Sequence, residues 1–148
     1  MKLSTTRFGE IDIADDTLIH LPGGMVGFPD ETQFAWVPHP GSSEIAWLQS
    51  ARSPAVAFPL LNAAQISDEY PDVPLPSIAE QGGITYDSEE ALALLVVLCA
   101  SESAALTVNL MAPVVINAET RRGAQVIMNG TRFSTAILGA KESAGAAP

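Results

Sequence analysis

The side chains that could do chemistry in this sequence are few and widely spaced. Neither His20 nor His39 has another histidine or a cysteine three or four residues away, so the short ligand spacing of a zinc site is missing. The single cysteine, Cys99, lies in the apolar run Ala91–Ala100, where we expect a buried and unreactive thiol. The sequence predicts no metal site.

Acidic neighbours occur at Asp15-Asp16 and at Glu89-Glu90. Adjacent side chains point to different sides of a regular element, so neither pair suits acid–base catalysis. No Gly-x-Ser-x-Gly motif is present. A Ser–His–Asp triad is formed by residues that are distant in sequence, so the sequence leaves this question open, but no local motif supports a triad. We therefore predict no catalytic residues and a protein that is not an enzyme.

The segment Pro22–Pro29 contains three glycines and is predicted to be a loop. It lacks the Gly-Lys-Ser/Thr ending of a phosphate-binding loop, and no strand-to-helix pattern surrounds it. The sequence predicts no bound cofactor.

Short β-rich segments separated by proline and glycine dominate the rest of the chain. A strand, a turn or bulge, and a second strand are predicted before Ile13. Single helical turns are predicted at 30–33, at Ala63–Ile66 with Asn62 as the cap, and at 88–91. The further strands are expected at 18–21, 34–37, 45–50, 56–61, 92–100, 106–111, 114–117, 125–128 and 133–138.

Residues 67–90 differ from their surroundings. Ser67–Pro76 holds three prolines and three acids, which excludes an internal strand or a continuous helix. Ser77–Gln81 is predicted to be a short helix that Gly82 and Gly83 end. Few helices among many short strands indicate a mainly β fold, a single compact antiparallel β-barrel-like domain with one or two short helical turns.

The charge of the chain restricts its partners. Seventeen acids and seven bases give a net charge of −10, which repels nucleic-acid backbones and favours basic partners. No apolar run approaches the roughly 18 residues that span a bilayer, and the N-terminus lacks the apolar region of a secretory signal. We expect a cytoplasmic protein that is monomeric when free and binds neither nucleic acid nor membrane directly.

Apolar and aromatic side chains occur in several predicted loops. They are either contact residues at an interface or side chains that fold back over the ends of a barrel, and the two interpretations are equally compatible with the sequence. These residues are Met25, Val26, Phe28, Tyr70, Val73 and Leu75.

Several strings together, in this order and spacing, resemble the FliW family of flagellar assembly factors. The most specific is Thr107-Val-Asn-Leu-Met-Ala-Pro-Val-Val-Ile-Asn117. The others are Phe8-Gly-Glu10, Pro22-Gly-Gly-Met-Val-Gly-Phe28, Trp47-Leu-Gln-Ser50, Pro54-Ala-Val-Ala-Phe58 and Arg122-Gly-Ala-Gln-Val-Ile127. They span residues 8 to about 128; we expect a FliW-like barrel domain over residues 1–138 and a disordered tail at 139–148.

The resemblance implies a compact antiparallel β-barrel-like fold and a regulator with two competing protein partners. One is the dimeric RNA-binding translational regulator CsrA, which FliW-type proteins bind away from its RNA surface. The other is flagellin, which sequesters FliW and so releases CsrA to block flagellin synthesis. Such a switch works by mass action and needs no bond chemistry.

For the contacts we predict one acidic surface with apolar anchors. The acids are Glu10, Asp68, Glu69 and Asp72, and the anchors are Met25, Phe28 and Tyr70. Two other functions stay open: a β-barrel enzyme or carrier of a small ligand, which a deep polar pocket would favour, and a structural component of a larger assembly.

Overall fold

The computed structural model describes residues 1–67, 69–100, 106–128 and 135–137. For Ala100, Leu106 and residues 135–137 it describes the backbone alone. Ten strands and one α-helix account for its regular structure. The strands are β1 Lys2–Thr5, β2 Gly9–Asp12, β3 Ile19–His20, β4 Gln33–Pro38, β5 Ile45–Ser50, β6 Ala57–Asn62, β7 Leu92–Ala100, β8 Leu106–Asn117, β9 Arg122–Gln125 and β10 Thr135–Ile137.

Seven strands form a closed barrel. Around the ring the order is β8, β7, β6, β5, β4, β3 and β9, and β9 pairs back with β8. The pairings are antiparallel except for β3–β9, which are parallel at His20 and Arg122. Strand β10 adds to the first part of β8 outside the ring. The predicted mainly β, barrel-like domain is confirmed, with one parallel contact at the point of closure.

Apolar side chains fill the inside of this barrel. Six of the seven ring strands contribute, because alternate residues of each strand point inward. We call this cluster the barrel core; its buried members are Ile19, Leu21, Met25, Phe34, Leu48, Leu60, Leu95, Val114 and Ile116.

A second cluster, the outer core, lies on the outer face of β7 and β8. It is closed by the covering segment, which we define as residues 63–67 and 69–86. Helix α1, Leu75–Gln81, contributes the buried Ile78 and Ala79. Pro76 is tolerated in the first turn because the N–H groups there have no partner within a helix. Gly82 caps the helix end through its N–H, which donates to the Ile78 carbonyl at 3.1 Å.

Strand β8 contains a wide bulge. Leu95 pairs with Val114 and Val97 with Asn109, so one residue of β7 faces four residues of β8, 110–113. The bulge gives β8 three more residues than β7. Because three is an odd number, alternate residues of β8 point to opposite faces before and after the bulge. Val108 and Leu110 therefore pack in the outer core, whereas Val114 and Ile116 pack in the barrel core.

The carbonyl groups of the bulge find partners from other parts of the chain. Leu110 O accepts from the Tyr70 hydroxyl at 2.9 Å, and Ala112 O accepts from Gln125 Nε2 at 2.9 Å. The carbonyls at 111 and 113 accept from the amides of Met128 and Val126 at 2.7 and 2.9 Å. Buried carbonyls without partners are costly, so these four bonds hold the bulge in place.

Local signals explain most short turns. Asn62 Oδ1 accepts from the Ala64 amide at 2.9 Å and caps the 3-10 turn Ala63–Gln65, as predicted. Ser88 caps the predicted turn Glu89–Ala91 in the same way. A further 3-10 turn, Asp15–Thr17, was not predicted.

Two local predictions need correction. No helical turn forms at 30–33, because Gln33 already belongs to β4 and pairs with His20. The last ring strand is Arg122–Gln125 rather than 125–128. In the loop before it, Arg121 adopts the positive φ of 60°. Gly123 lies in β9, where a Cβ would stand 2.7 Å from Val115 O.

Candidate protein-binding surfaces

The loop at residues 22–29 folds back on itself at one end of the barrel. Met25 N–H donates to Phe28 O at 3.1 Å and Phe28 N–H donates to Met25 O at 2.7 Å. Gly24 has φ +71°, and a Cβ there would stand 2.5 Å from Phe28 O. This tight turn directs Met25 into the barrel core, where it is 3% exposed. The prediction of Met25 as a surface anchor was therefore wrong.

The other apolar side chains of this loop face outward. Phe28 is 41% exposed and packs edge to face on Phe58, with ring centroids 5.2 Å apart. Val26 is 56% exposed, and its amide donates to Gln125 Oε1 at 2.7 Å. Because Gln125 also bonds the bulge of β8, the loop is held firmly against the barrel.

Two further apolar side chains lie near this Gln125 bridge. Met111 is 40% exposed and Ile127 is 54% exposed. Both belong to segments predicted as strands, and the sequence analysis did not single them out as contact residues. We call Val26, Phe28, Met111 and Ile127 together the loop patch. It is a candidate contact surface, since exposed apolar side chains on neighbouring segments are typical of interfaces.

Tyr70 is not a surface anchor either. It is 4% exposed, packs in the outer core, and donates its hydroxyl to Leu110 O. Burial, with a smaller contribution from the Asp72 carboxylate, raises the pKa of Tyr70 far above its usual value. The prediction of Tyr70 as an anchor was wrong because the phenol supplies a hydrogen bond that the bulge requires.

The predicted acids belong to two regions of the structure. Glu10 is exposed on β2, and its carboxylate lies 3.6 Å from the Lys2 ammonium. Glu69 and Asp72 are exposed on the covering segment, on either side of the buried Tyr70. Asp68 lies outside the described residues. The β1–β2 hairpin packs on β5 and on the turn that follows it, whereas the covering segment packs on β7 and β8.

A groove that was not foreseen from the sequence lies on the outer face of β5, β6 and the end of β7. We call it the Arg7–Trp47 groove; its volume is about 460 Å³, and its walls include Arg7, His39, Trp47, Ala57, Pro59 and Leu98. Cys99 also lines it and is exposed, contrary to the expected burial. Arg7 and Trp47 are forty residues apart in sequence, so no local motif could have joined them.

Buried polar groups elsewhere serve the fold. Asn117 is 1% exposed; its Oδ1 accepts from the amides of Glu119 and Thr120, and its Nδ2 donates to Thr85 O at 2.9 Å. Asn109 Oδ1 accepts from the Met111 amide at 3.1 Å, which again supports the bulge. Asn117 is therefore satisfied within the fold, whereas Asn109 is only partly buried.

Glu31 is a buried carboxylate at the junction of two loops. The hydroxyls of Ser50 and Ser53 donate to it, the latter at 2.6 Å. Burial alone would raise the pKa of Glu31, but these two hydrogen bonds and the charge of Arg52 outweigh it and lower the pKa below the usual 4.5. The group joins residues 29–32 to the β5–β6 turn.

Across the described ranges, no cluster of three or more histidine, cysteine, aspartate or glutamate side chains could hold a metal ion. Within the same ranges, no helix is both long and apolar enough to cross a membrane.

Comparison with known proteins connects this architecture to a family. The family model described as FliW protein matches residues 2–138. The chain is 33% identical over 135 residues to the flagellar assembly factor FliW of Geobacter sulfurreducens, covering 91% of this chain and 84% of that protein. It is 36% identical over 137 residues to the FliW of Geotalea uraniireducens, covering 91% and 82%.

A solved structure agrees with the sequence comparison. The crystal structure of a flagellar assembly factor FliW superposes with a TM-score of 0.75 at 31% identity, covering 91% of this chain and 94% of that chain. The sequence resemblance, the closed barrel and this structural match coincide over nearly the same residues. The chain belongs to the FliW family.

Proposed function

We propose that this chain is a flagellar assembly factor that works by binding other proteins: it antagonises a CsrA-type RNA-binding translational regulator and binds flagellin, and the two partners compete for it. The observation that carries the proposal is the match to the FliW family over residues 2–138, whose curated members bear the name flagellar assembly factor. The partners themselves follow from the resemblance of the sequence to that family.

The surface properties support a binding function rather than catalysis. Apolar side chains pack the barrel core, so the inside of the barrel does not favour a small-ligand carrier. The loop patch exposes four apolar side chains on a backbone held by Gln125. A rigid apolar patch lowers the entropy lost on association and suits a protein partner.

The net charge supports a basic partner. A regulator that holds RNA must be positively charged at its binding surface, and a chain of charge −10 attracts such a protein over a distance that salt shortens. We expect association with the CsrA-type regulator to be fast at low salt and markedly slower at high salt.

The direct test is a titration of this chain into a complex of a CsrA-type regulator with a flagellin leader RNA. We expect the RNA to be released as the chain is added and to rebind when flagellin is supplied. A pull-down at low salt in which the chain retains neither protein would refute the proposal.

A pair of charge-reversed variants locates the acidic contacts. Reversing the exposed Glu69 and Asp72 to lysine should slow association with the CsrA-type regulator, because charge near a contact steers encounter. The matched control reverses Glu89 and Glu90, which changes the net charge equally at another exposed position. Equal association rates for the two variants would show that only total charge matters.

A further inference from the structure

The Arg7–Trp47 groove exists because β6 and β7 separate at one end. Their pairing covers Leu60–Val97, Leu61–Val96 and Asn62–Leu95 and goes no further. Pro59, the next residue of β6, has no N–H and cannot extend the ladder. Beyond this point β7 continues to pair with β8 through Leu98 and Cys99. The end of β6 is therefore left without its neighbour, and the groove lies between the two strands.

Trp47 forms a rigid wall of this groove. Its Nε1–H donates to His39 Nδ1 at 3.2 Å, and its ring packs edge to face with Phe8 at a centroid distance of 5.7 Å. The bond to Nδ1 requires a lone pair there, so the neutral His39 ring carries its proton on Nε2. That N–H is a donor beside the apolar wall.

Arg7 is presented by an ordered turn. Thr5 Oγ1 donates to Gly9 O at 2.7 Å and accepts from the Phe8 amide at 2.8 Å, while the Thr6 amide donates to Pro54 O at 2.9 Å. These bonds fix both ends of the turn that carries Arg7. Its guanidinium lies 4.4 Å from the centre of the Trp47 ring.

The charge of the groove is opposite to that of the chain. The net charge of the protein is −10, yet the groove is lined by a guanidinium and a histidine and by no acid. Within the described ranges, no carboxylate lies within 4.0 Å of the Arg7 guanidinium. A cation stacked on an aromatic ring, with its N–H groups unpaired by acids, is a ready site for a carboxylate.

We propose that the Arg7–Trp47 groove binds an extended peptide segment of a partner protein that carries a carboxylate next to an apolar side chain. The carboxylate pairs with Arg7 and reaches the His39 Nε2–H. The apolar side chain lies against Trp47, Pro59 and Leu98, and the backbone runs along the end of β6 that β7 leaves unpaired. This inference does not depend on the partners proposed above.

The test uses two synthetic probes and the indole signals of the protein. One probe is the acetylated and amidated pentapeptide Ser-Leu-Glu-Val-Ser; the other has glutamine in place of glutamate. We expect the glutamate peptide to shift the Trp47 indole signal in a proton–nitrogen correlation spectrum and to leave the indole of Trp36, on β4, unchanged. The glutamine peptide should bind about threefold to fivefold more weakly, as for an exposed ion pair.

Variants of Arg7 distinguish an effect of its charge on binding from an effect on folding. Arg7→Gln should weaken binding of the glutamate peptide by the same factor and leave binding of the glutamine peptide unchanged. Arg7→Lys should retain most of the affinity for the glutamate peptide. Lys2→Gln is the matched control: it removes the same charge from the same hairpin, outside the groove, and should change nothing.

Three results would overturn the inference. The first is a Trp47 indole signal that neither peptide shifts. The second is equal affinity of the unaltered chain for the two peptides. The third is an equal loss of affinity for both peptides in Arg7→Gln. In the last case a backbone amide spectrum that matches the unaltered chain would show that the loss does not come from misfolding.

Discussion

Two different segments cover the outer surface of the barrel, and they pack against it differently. Over β7 and β8 the covering segment buries apolar side chains in the outer core, and its one buried hydroxyl, that of Tyr70, is fully used by the bulge. Over β5 and β6 the β1–β2 hairpin makes a few aromatic and backbone contacts and leaves the Arg7–Trp47 groove beside them. The first arrangement suits stability, and the second suits recognition.

This contrast predicts which substitutions should unfold the chain and which should change binding. Removing buried apolar volume costs transfer free energy and leaves a cavity. Removing an exposed cation over an aromatic ring costs far less. Four substitutions test this contrast and are described in order of decreasing effect.

The largest effect is expected from Ile78→Ala in helix α1. Ile78 is 0% exposed in the outer core, so its truncation should lower the free energy of unfolding by about 2–5 kcal/mol. Urea denaturation followed by fluorescence measures this. Ile127→Ala, at a 54% exposed position, is the control and should change stability by about 0.5 kcal/mol or less. A small loss at Ile78 would mean that the covering segment contributes little.

Tyr70→Phe tests the hydrogen bond to the bulge. It keeps the ring but leaves the buried Leu110 carbonyl without its donor, which should cost about 1–3 kcal/mol of unfolding free energy. Tyr86→Phe removes the hydroxyl of a partly exposed tyrosine near the end of the covering segment and serves as the control in the same denaturation series. Equal stability of the two variants would contradict the role assigned to Tyr70.

Glu31→Gln should change how stability depends on pH. The pKa of Glu31 is lower in the folded chain than its usual 4.5, so its contribution is present above the unfolded pKa and is lost as pH falls through the folded one. Unfolding free energies at about pH 6 and about pH 4 should therefore differ less in the variant than in the unaltered chain.

The exposed Glu10→Gln serves as the control for that series and should keep the full pH dependence. An unaltered pH dependence in Glu31→Gln would show that other carboxylates dominate the acid response.

The smallest effect on stability is expected from Arg7→Gln. Loss of the cation over Trp47 should cost about 0.5–1 kcal/mol, although the same change should weaken binding of the carboxylate peptide. A loss as large as that of Ile78→Ala would mean that the hairpin is an essential part of the fold, and the contrast between the two faces would fail.

The sequence predicted the strands well where their side chains are buried on one or both faces. The limits of β5 and β7 agree with those predicted, because long apolar or alternating runs bounded by polar or turn residues have few other solutions. The stretch 106–117 was divided at Pro113, although the structure continues it as one strand. The bulge cannot be read locally, since its bonds come from Tyr70 and from residues 125–128.

The candidate site was harder to predict for the same reason. Phe28 is exposed as expected, whereas Met25, three residues earlier, is buried. The deciding factor is the turn at Gly24, whose direction depends on backbone contacts rather than on hydrophobicity. The partner of Arg7 lies in another strand, so the groove depends on tertiary structure that residue types and spacing do not contain.

The bulge of β8 links events that could otherwise occur separately when the chain folds. A hairpin of β7 and β8 alone would leave the carbonyls of 110–113 without donors, because these come from Tyr70 in the covering segment and from the residues around β9. Closure of the ring and docking of the covering segment therefore complete the same set of bonds. We therefore expect the barrel and the covering segment to unfold together, since a partly closed barrel would lose these bonds and expose a strand edge.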